Sequence, residues 1–267
     1  MLANLSYQTA DAMVRWLPPA LIARLARLGA GIAFDLGAPA RRVFERNLAR
    51  LARSPAETRD LARRAFEQFA RTLVEMLELE RMSGARLLSA IEIRGGEHLA
   101  AARASGRGVI LLSAHLGNWE WGAAALAARG VPLHVVARRH ASAAVEAMFE
   151  RRRRAFGLAR LDARPLWPES ARLLRARRWV GLMGDRAAPG TRHSVCAWAA
   201  ALARRTHALV LPAVTVPAGE RRYALVVEPP LGAEDCASGG YRRAMRRHLE
   251  DHAGEWCAFE PLPEALA

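Results

Sequence analysis

Two hydrophobic rhythms meet near residue 90 of this 267-residue chain. Before that point apolar positions recur at helical spacing. Residues 13–34 are apolar, with Arg15, Arg24 and Arg27 interspersed and Pro18 and Pro19 interrupting; Leu21, Leu25 and Leu28 fall on one helical face. A second amphipathic helix is predicted over residues 41–53, RRVFERNLARLAR. Ser54 with Glu57 three positions on is a capping-box start. It predicts a third helix to about residue 82, with Leu61, Ala65, Phe69, Thr72, Leu73 and Met76 as its core stripe.

From Ile91 the pattern alternates. Short apolar runs suited to strands (IEIRG, GVILLS, PLHVVARR, WVGLM, ALVLPAVTVP, YALVVEPP) are separated by helical stretches over residues 97–105, 119–128, 143–156, 168–176, 195–205 and 240–252. That rhythm predicts an α/β fold with a mixed, largely parallel central sheet flanked by helices. Neither a repeat nor a low-complexity linker divides the chain. The expectation is a single domain, with residues 1–90 a helical N-terminal region and residues 91–267 the α/β core.

Charge changes this picture at the surface. All forty basic residues are arginine, against 26 acidic ones, and the formal net charge is +14. Such an excess suits phosphate, an anionic membrane surface or an acidic protein, and it also suits a merely solvated surface in an arginine-biased composition. The leucine face near residues 21–28 fits a helix lying in a membrane interface, its arginines reaching headgroups, and equally a helix packed on the domain. No run reaches the length of a membrane span, and the start of the chain lacks a signal-peptide pattern. Cys196, Cys236 and Cys257 form no CxxC pair and no metal spacing with histidine, which predicts free thiols. No helix-turn-helix, zinc-finger or RNP signature accompanies the charge, so a nucleic-acid partner is not expected.

The densest chemistry lies in VILLSAHLGNWEWGAAAL, residues 109–126. A buried-strand run ends at His115, a short turn follows, and Glu120 stands in the first turn of the next helix. Of eight histidines only His115 has an acidic residue five positions later, a spacing that chance alone supplies about once. The strand-turn-helix setting is therefore what marks the pair as a candidate general base and its carboxylate. The plain alternative is a histidine capping a backbone amide and a glutamate favoured by the helix dipole. Gly117 permits close backbone approach and Asn118 is a good N-cap. Arg138 and Asp185 also lie just after strands, where ligands of such sheets collect. No GxSxG elbow is present, so a substrate hydroxyl or water would attack directly. Four consecutive arginines, Arg151 to Arg154, point in different directions on one helix, so at most two can face one partner. His193 and His207 have no ligand spacing.

HLGNWE resembles the H-x4-[DE] motif of glycerolipid acyltransferases, in the bacterial branch that completes lipid A and related glycolipids. Further segments are similar to that family in the same order: RRVFERNLARL, RTLVEMLEL, VVARRH, RRRRAFGL, GLMGDRAAPG and LARRTHALVLPAVTV. Two segments depart from it. The loop after Asp185 is short and lacks a Phe-Phe-Gly segment, and the closing EWCAFEPL has acidic rather than basic neighbours. The resemblance implies an acyltransferase with no cofactor, using an acyl carrier protein or acyl-coenzyme A thioester and a glycolipid or lysophospholipid hydroxyl. In it His115 deprotonates the hydroxyl, Glu120 orients and charges the imidazole, and Asn118, Arg138 and Asp185 contact substrate or the oxyanion. It also implies a peripheral place on the cytoplasmic face of a bacterial inner membrane. A relative that binds lipid without turnover is the alternative.

Overall fold

The computed structural model describes residues 2–162, 166–187, 194–258 and 260–262; the expectation for His193 and most of the short loop after Asp185 lie outside them. The helices are α1 (Leu2–Trp16), α2 (Pro19–Leu36), α3 (Ala38–Leu48), α4 (Pro55–Glu78), α5 (Gly84–Ala90), α6 (Gly96–Ala104), α7 (Trp119–Ala128), α8 (Ala143–Ala155), α9 (Leu166–Arg175), α10 (Val195–Thr206), α11 (Ala233–Ala237) and α12 (Gly240–Asp251). The strands are β1 (Ile91–Arg94), β2 (Val109–Ser113), β3 (Leu133–Ala137), β4 (Ala159–Asp162), β5 (Trp179–Met183), β6 (Leu209–Gly219) and β7 (Arg222–Val227).

Among the described residues the strands form one sheet in the order β1-β7-β6-β2-β5-β3-β4. Every pairing is parallel except the β6–β7 hairpin. The expected mixed, largely parallel sheet is what the chain forms. Helices on both faces bury β2, which explains why VILLS reads as a continuous apolar run rather than an alternating one. The pleat sends Ile110 and Leu112 into one core and Val109 and Leu111 into the other.

Helix α4 starts as its sequence predicts: the Ser54 hydroxyl accepts from Glu57 N–H at 3.1 Å, and Glu57 accepts from Arg53 N–H at 2.6 Å. Its stripe divides in two. Leu61, Ala65, Thr72 and Met76 are buried, whereas Phe69 and Leu73 are half-buried and form the wall of a cavity. The second amphipathic helix stops at Leu48, short of the expected residue 53. The arginine run resolves as geometry requires: Arg152 and Arg153 are buried, Arg151 and Arg154 exposed. Arg152 donates to the Leu77 carbonyl at 3.0 Å and the Met148 carbonyl at 2.9 Å, and pairs with Asp11, so it fastens α1 and α4 to α8.

Helix α2 buries Ile22, Ala30 and Phe34 against α4. Its other face leaves Leu21, Leu25, Leu28, Ile32 and Leu36 in solvent, with Leu28 at 65% and Leu36 at 80% exposure, and Trp16 just before it at 85%. Arg24 and Arg27 are exposed beside this row. No helix among the described residues is long and apolar enough to cross a membrane.

Candidate active site

His115 stands at the carboxyl end of β2, where the strand yields to the turn that begins α7. Gly117 makes that turn possible. Its φ is +57°, and a Cβ there would lie 2.2 Å from the Thr215 carbonyl oxygen, so only glycine fits. The turn is then fixed from several sides. Cys257 N–H donates to the His115 carbonyl at 2.7 Å, Gly117 N–H to the Glu255 carbonyl at 3.1 Å, and the Thr72 hydroxyl to the Gly117 carbonyl at 3.1 Å.

The carboxylate on the imidazole is Asp185. It follows β5 and places Oδ1 2.9 Å from His115 Nδ1, while Oδ2 accepts from His115 N–H at 2.9 Å and from Trp256 Nε1–H at 2.9 Å. Burial alone would raise the Asp185 pKa. The charge of protonated His115 and hydrogen bonds from the His115 ring, the Trp256 indole and the His115 amide outweigh it and bring the value down to about 2. Asp185 is thus ionised at neutral pH. A carboxylate at Nδ1 selects the tautomer in which that nitrogen carries the proton, and Nε2 becomes the basic atom of the ring. The Asp185 loop is itself held in place: Gly184 N–H and the Tyr241 hydroxyl both donate to the Ser113 carbonyl, each at 2.6 Å.

Three of the residues singled out in the sequence have other places than expected. Glu120 was expected on the imidazole; instead its carboxylate binds the Arg153 guanidinium at 2.7 and 3.3 Å, and the Nδ1 position is taken by Asp185, itself expected only as a substrate contact. The reason is topological: β2 and β5 are neighbours in register from Val109 and Trp179 to Ser113 and Met183, so residues just past their ends converge. Asn118 was expected to touch substrate. It is fully buried and both ends of its amide are used, Oδ1 by Trp121 N–H at 2.9 Å and Nδ2 by Glu75 Oε2 at 2.6 Å. Arg138 lies at the cavity rim, 2.8 Å from Glu260.

Glu75 had no role in the sequence reading. It is 1% exposed, on the face of α4 that meets the His115 turn. Its Oε2 accepts from Asn118 and, at 2.7 Å, from the Tyr223 hydroxyl; its carbonyl accepts from Trp121 Nε1–H at 3.0 Å. Burial raises its pKa, against the pull of the Tyr223 and Asn118 hydrogen bonds and of Arg221 and Arg71. An acidic residue one position from apolar neighbours on an amphipathic helix gives no warning of such a place. Changing Glu75 to alanine strands two buried donors, at about 1–3 kcal/mol each. The expected result is a loss of about 2–6 kcal/mol in urea denaturation, most of it restored by Glu75→Gln, which keeps an acceptor oxygen. Equal losses in both variants would contradict this account.

A cavity of about 400 Å³ opens at His115. Its charged and polar lining includes Glu120, Arg138, His140, Arg153 and Arg186, of which Arg138 is exposed and Arg153 buried. The rest of its wall is largely hydrocarbon: Phe69, Leu73, Leu111, Leu126, Leu133, Val135 and Leu225 among others. The His140 ring stacks on Phe149 with centroids 4.5 Å apart, and burial depresses the His140 pKa, outweighing Glu146. A basic nitrogen at the lip of an apolar hole, beside paired charges, is equipped to activate a hydroxyl against a group carrying a hydrocarbon chain.

The chain also matches known sequences. The profile of the bacterial lipid A biosynthesis acyltransferase family matches residues 7–258. A phosphatidylinositol mannoside acyltransferase of Mycolicibacterium smegmatis is 30% identical over 189 residues, which cover 68% of this chain and 62% of that protein. The chain therefore matches somewhat less than two thirds of that relative's length.

Proposed function

The chain belongs to the bacterial lipid A biosynthesis acyltransferase family, and from that footing we propose that it moves a fatty acyl group from a thioester to a hydroxyl of a glycolipid. The observation that carries the reading is the His115–Asp185 pair opening onto an apolar cavity. In the proposed reaction His115 Nε2 removes the acceptor's hydroxyl proton as its oxygen attacks the thioester carbonyl. Asp185 steadies the imidazolium that forms. The tetrahedral intermediate then expels the thiolate, which takes the proton back from His115. A thioester is already activated, so one positioned base and a held acyl chain supply what the step needs.

Arg138 and Arg186 bring positive charge to the cavity, where an oxyanion, a headgroup phosphate or the donor's phosphates would lie. Glu120, held by Arg153 on the same wall, is assigned to the acceptor rather than to the imidazole. The acceptor class, a mannosylated or otherwise hydroxyl-rich lipid, follows the relative's name; the donor, an acyl carrier protein or acyl-coenzyme A thioester, is what the sequence resemblance implies. The test offers radiolabelled acyl thioesters of both donor types with phosphatidylinositol mannoside and lipid A precursors, and looks for a new acyl ester. Lipid binding without turnover of either donor would replace this reading with that of a non-catalytic relative.

The exposed row on α2 supports action at a membrane surface, in this reading the cytoplasmic face of the inner membrane. Five aliphatic side chains on one helical face are a contiguous apolar patch, and arginines beside them suit anionic headgroups. Replacing Leu28, Ile32 and Leu36 with serine removes about 1 kcal/mol or more of burial apiece on insertion. Cosedimentation with phosphatidylglycerol vesicles is expected to fall at least tenfold while the melting temperature holds. Unchanged sedimentation would count against this surface.

A further inference from the structure

We infer that Gly181 sets the length of acyl chain the cavity admits; the inference rests on the acyl-transfer reading above. Gly181 lies in the middle of β5, paired with Leu111 of β2 on one side and Val135 of β3 on the other. All three line the cavity on the same face of the sheet, and Gly181 alone of them brings no side chain. The result is a groove across three adjacent strands. Two residues nearer the strand starts, Val109 and Trp179 pair with each other; both are buried and outside the cavity wall, with Leu133 beside Trp179 as its last contact on β3. The groove from Met183 to that floor runs four residues of strand, about 13 Å.

Nothing in the packing asks for glycine here. The backbone is ordinary strand, outside the left-handed region, and a Cβ would sit 3.4 Å from Leu133 Cδ1 and 3.5 Å from Val135 Cγ1, plain van der Waals contact. Interior strand glycine weakens a sheet, and where no bulge or bend explains it, it marks a backbone that something must approach. That approaching group is hydrocarbon, because the neighbouring walls are Leu111, Leu126, Leu133, Val135 and Leu225. It belongs to the donor, because the carbonyl that the His115-activated hydroxyl attacks is the chain's own first carbon, and the cavity begins at His115.

Two arms test this on the full chain. The first measures calorimetric affinity for linear saturated fatty acids of graded length, in wild type, Gly181→Ala and Gly181→Leu. Wild-type affinity is expected to rise about fourfold per methylene up to a limiting length. The limit should shorten slightly in the alanine variant and by roughly two to four carbons in the leucine variant. Circular dichroism checks that each variant is folded, and a leucine variant that fails to fold leaves the alanine variant to decide. The same limit in all three proteins, or no length dependence in any, overturns the inference. The second arm measures thiol release from acyl-coenzyme A and acyl-carrier-protein thioesters of the same lengths, with phosphatidylinositol mannoside of two tail lengths as acceptor. A limit that follows the acceptor tail and ignores the donor chain overturns the donor assignment. Absence of turnover in wild type defeats the acyl-transfer reading, while the binding arm still decides whether Gly181 limits chain length.

Discussion

Replacing His115 with asparagine is expected to lower the rate of acyl transfer by about 10²–10⁴-fold, the range a positioned general base contributes. Asparagine is the informative substitution because its side-chain nitrogen falls near the place of imidazole Nδ1. It can go on donating to Asp185 Oδ1, which His115 now meets at 2.9 Å, so the buried carboxylate keeps a partner. What it lacks is any atom at the position of Nε2. A large loss in kcat with an intact melting temperature therefore isolates the base. Alanine at the same position removes the base and the partner together, and should cost stability as well, because an uncompensated buried carboxylate is left with only the His115 N–H and Trp256 donors. A His115→Asn enzyme that retains its activity would remove the imidazole from the mechanism altogether.

The contrast between His115 and its two carboxylates also shows what a sequence can and cannot reveal. The strand that leads to His115 and the helix that begins at Trp119 were legible, because a continuous apolar run and an Asn cap are local signals. So was the largely parallel sheet, since alternating strands and helices leave few other solutions. The partner of the imidazole was not legible. Asp185 lies 70 residues from His115, and only the pairing of β2 with β5 brings it there, whereas Glu120 is near in sequence but turned toward Arg153 by the first turn of α7. Register between distant strands is a tertiary fact, and spacing along the chain does not encode it. Trp256 and Glu75 escaped for the same reason: each completes the site from a segment whose local pattern, a closing tail and an amphipathic helix, has an ordinary explanation. The exposed face of α2 is the opposite case. Its leucine spacing predicted a helical stripe but left open whether it packed inward; the burial of Ile22, Ala30 and Phe34 on the other side decided that it does not.

Changing Asp185 to asparagine is expected to be nearly as damaging to kcat as losing the base, by about 10³–10⁴-fold, and by a different route. The carboxylate accepts from His115 Nδ1, His115 N–H and Trp256 Nε1, and has no proton to give. An amide presents an oxygen to one side and an NH₂ to the other. Its oxygen can serve the two donors now on Oδ2, which leaves the NH₂ facing Nδ1; that nitrogen must then accept, and the ring proton moves to Nε2. The atom that should take the acceptor's proton is thereby already protonated, and the imidazolium loses its counter-charge. KM for the thioester should change little, because Asp185 does not line the cavity. The same substitution has a signature in stability that a merely positional role lacks. Asp185 has a folded pKa of about 2 against an ordinary 3.8, so its ionised form stabilises the fold above about pH 4, and that contribution is lost as the pH falls toward 2. It amounts to about 2 kcal/mol. Urea denaturation followed from pH 5 to pH 2 should therefore fall more steeply in the wild type than in the Asp185→Asn variant, which has no proton to take up at this position. Parallel slopes, or a kcat within tenfold of the wild type, would mean that the carboxylate is not what holds and charges the His115 ring.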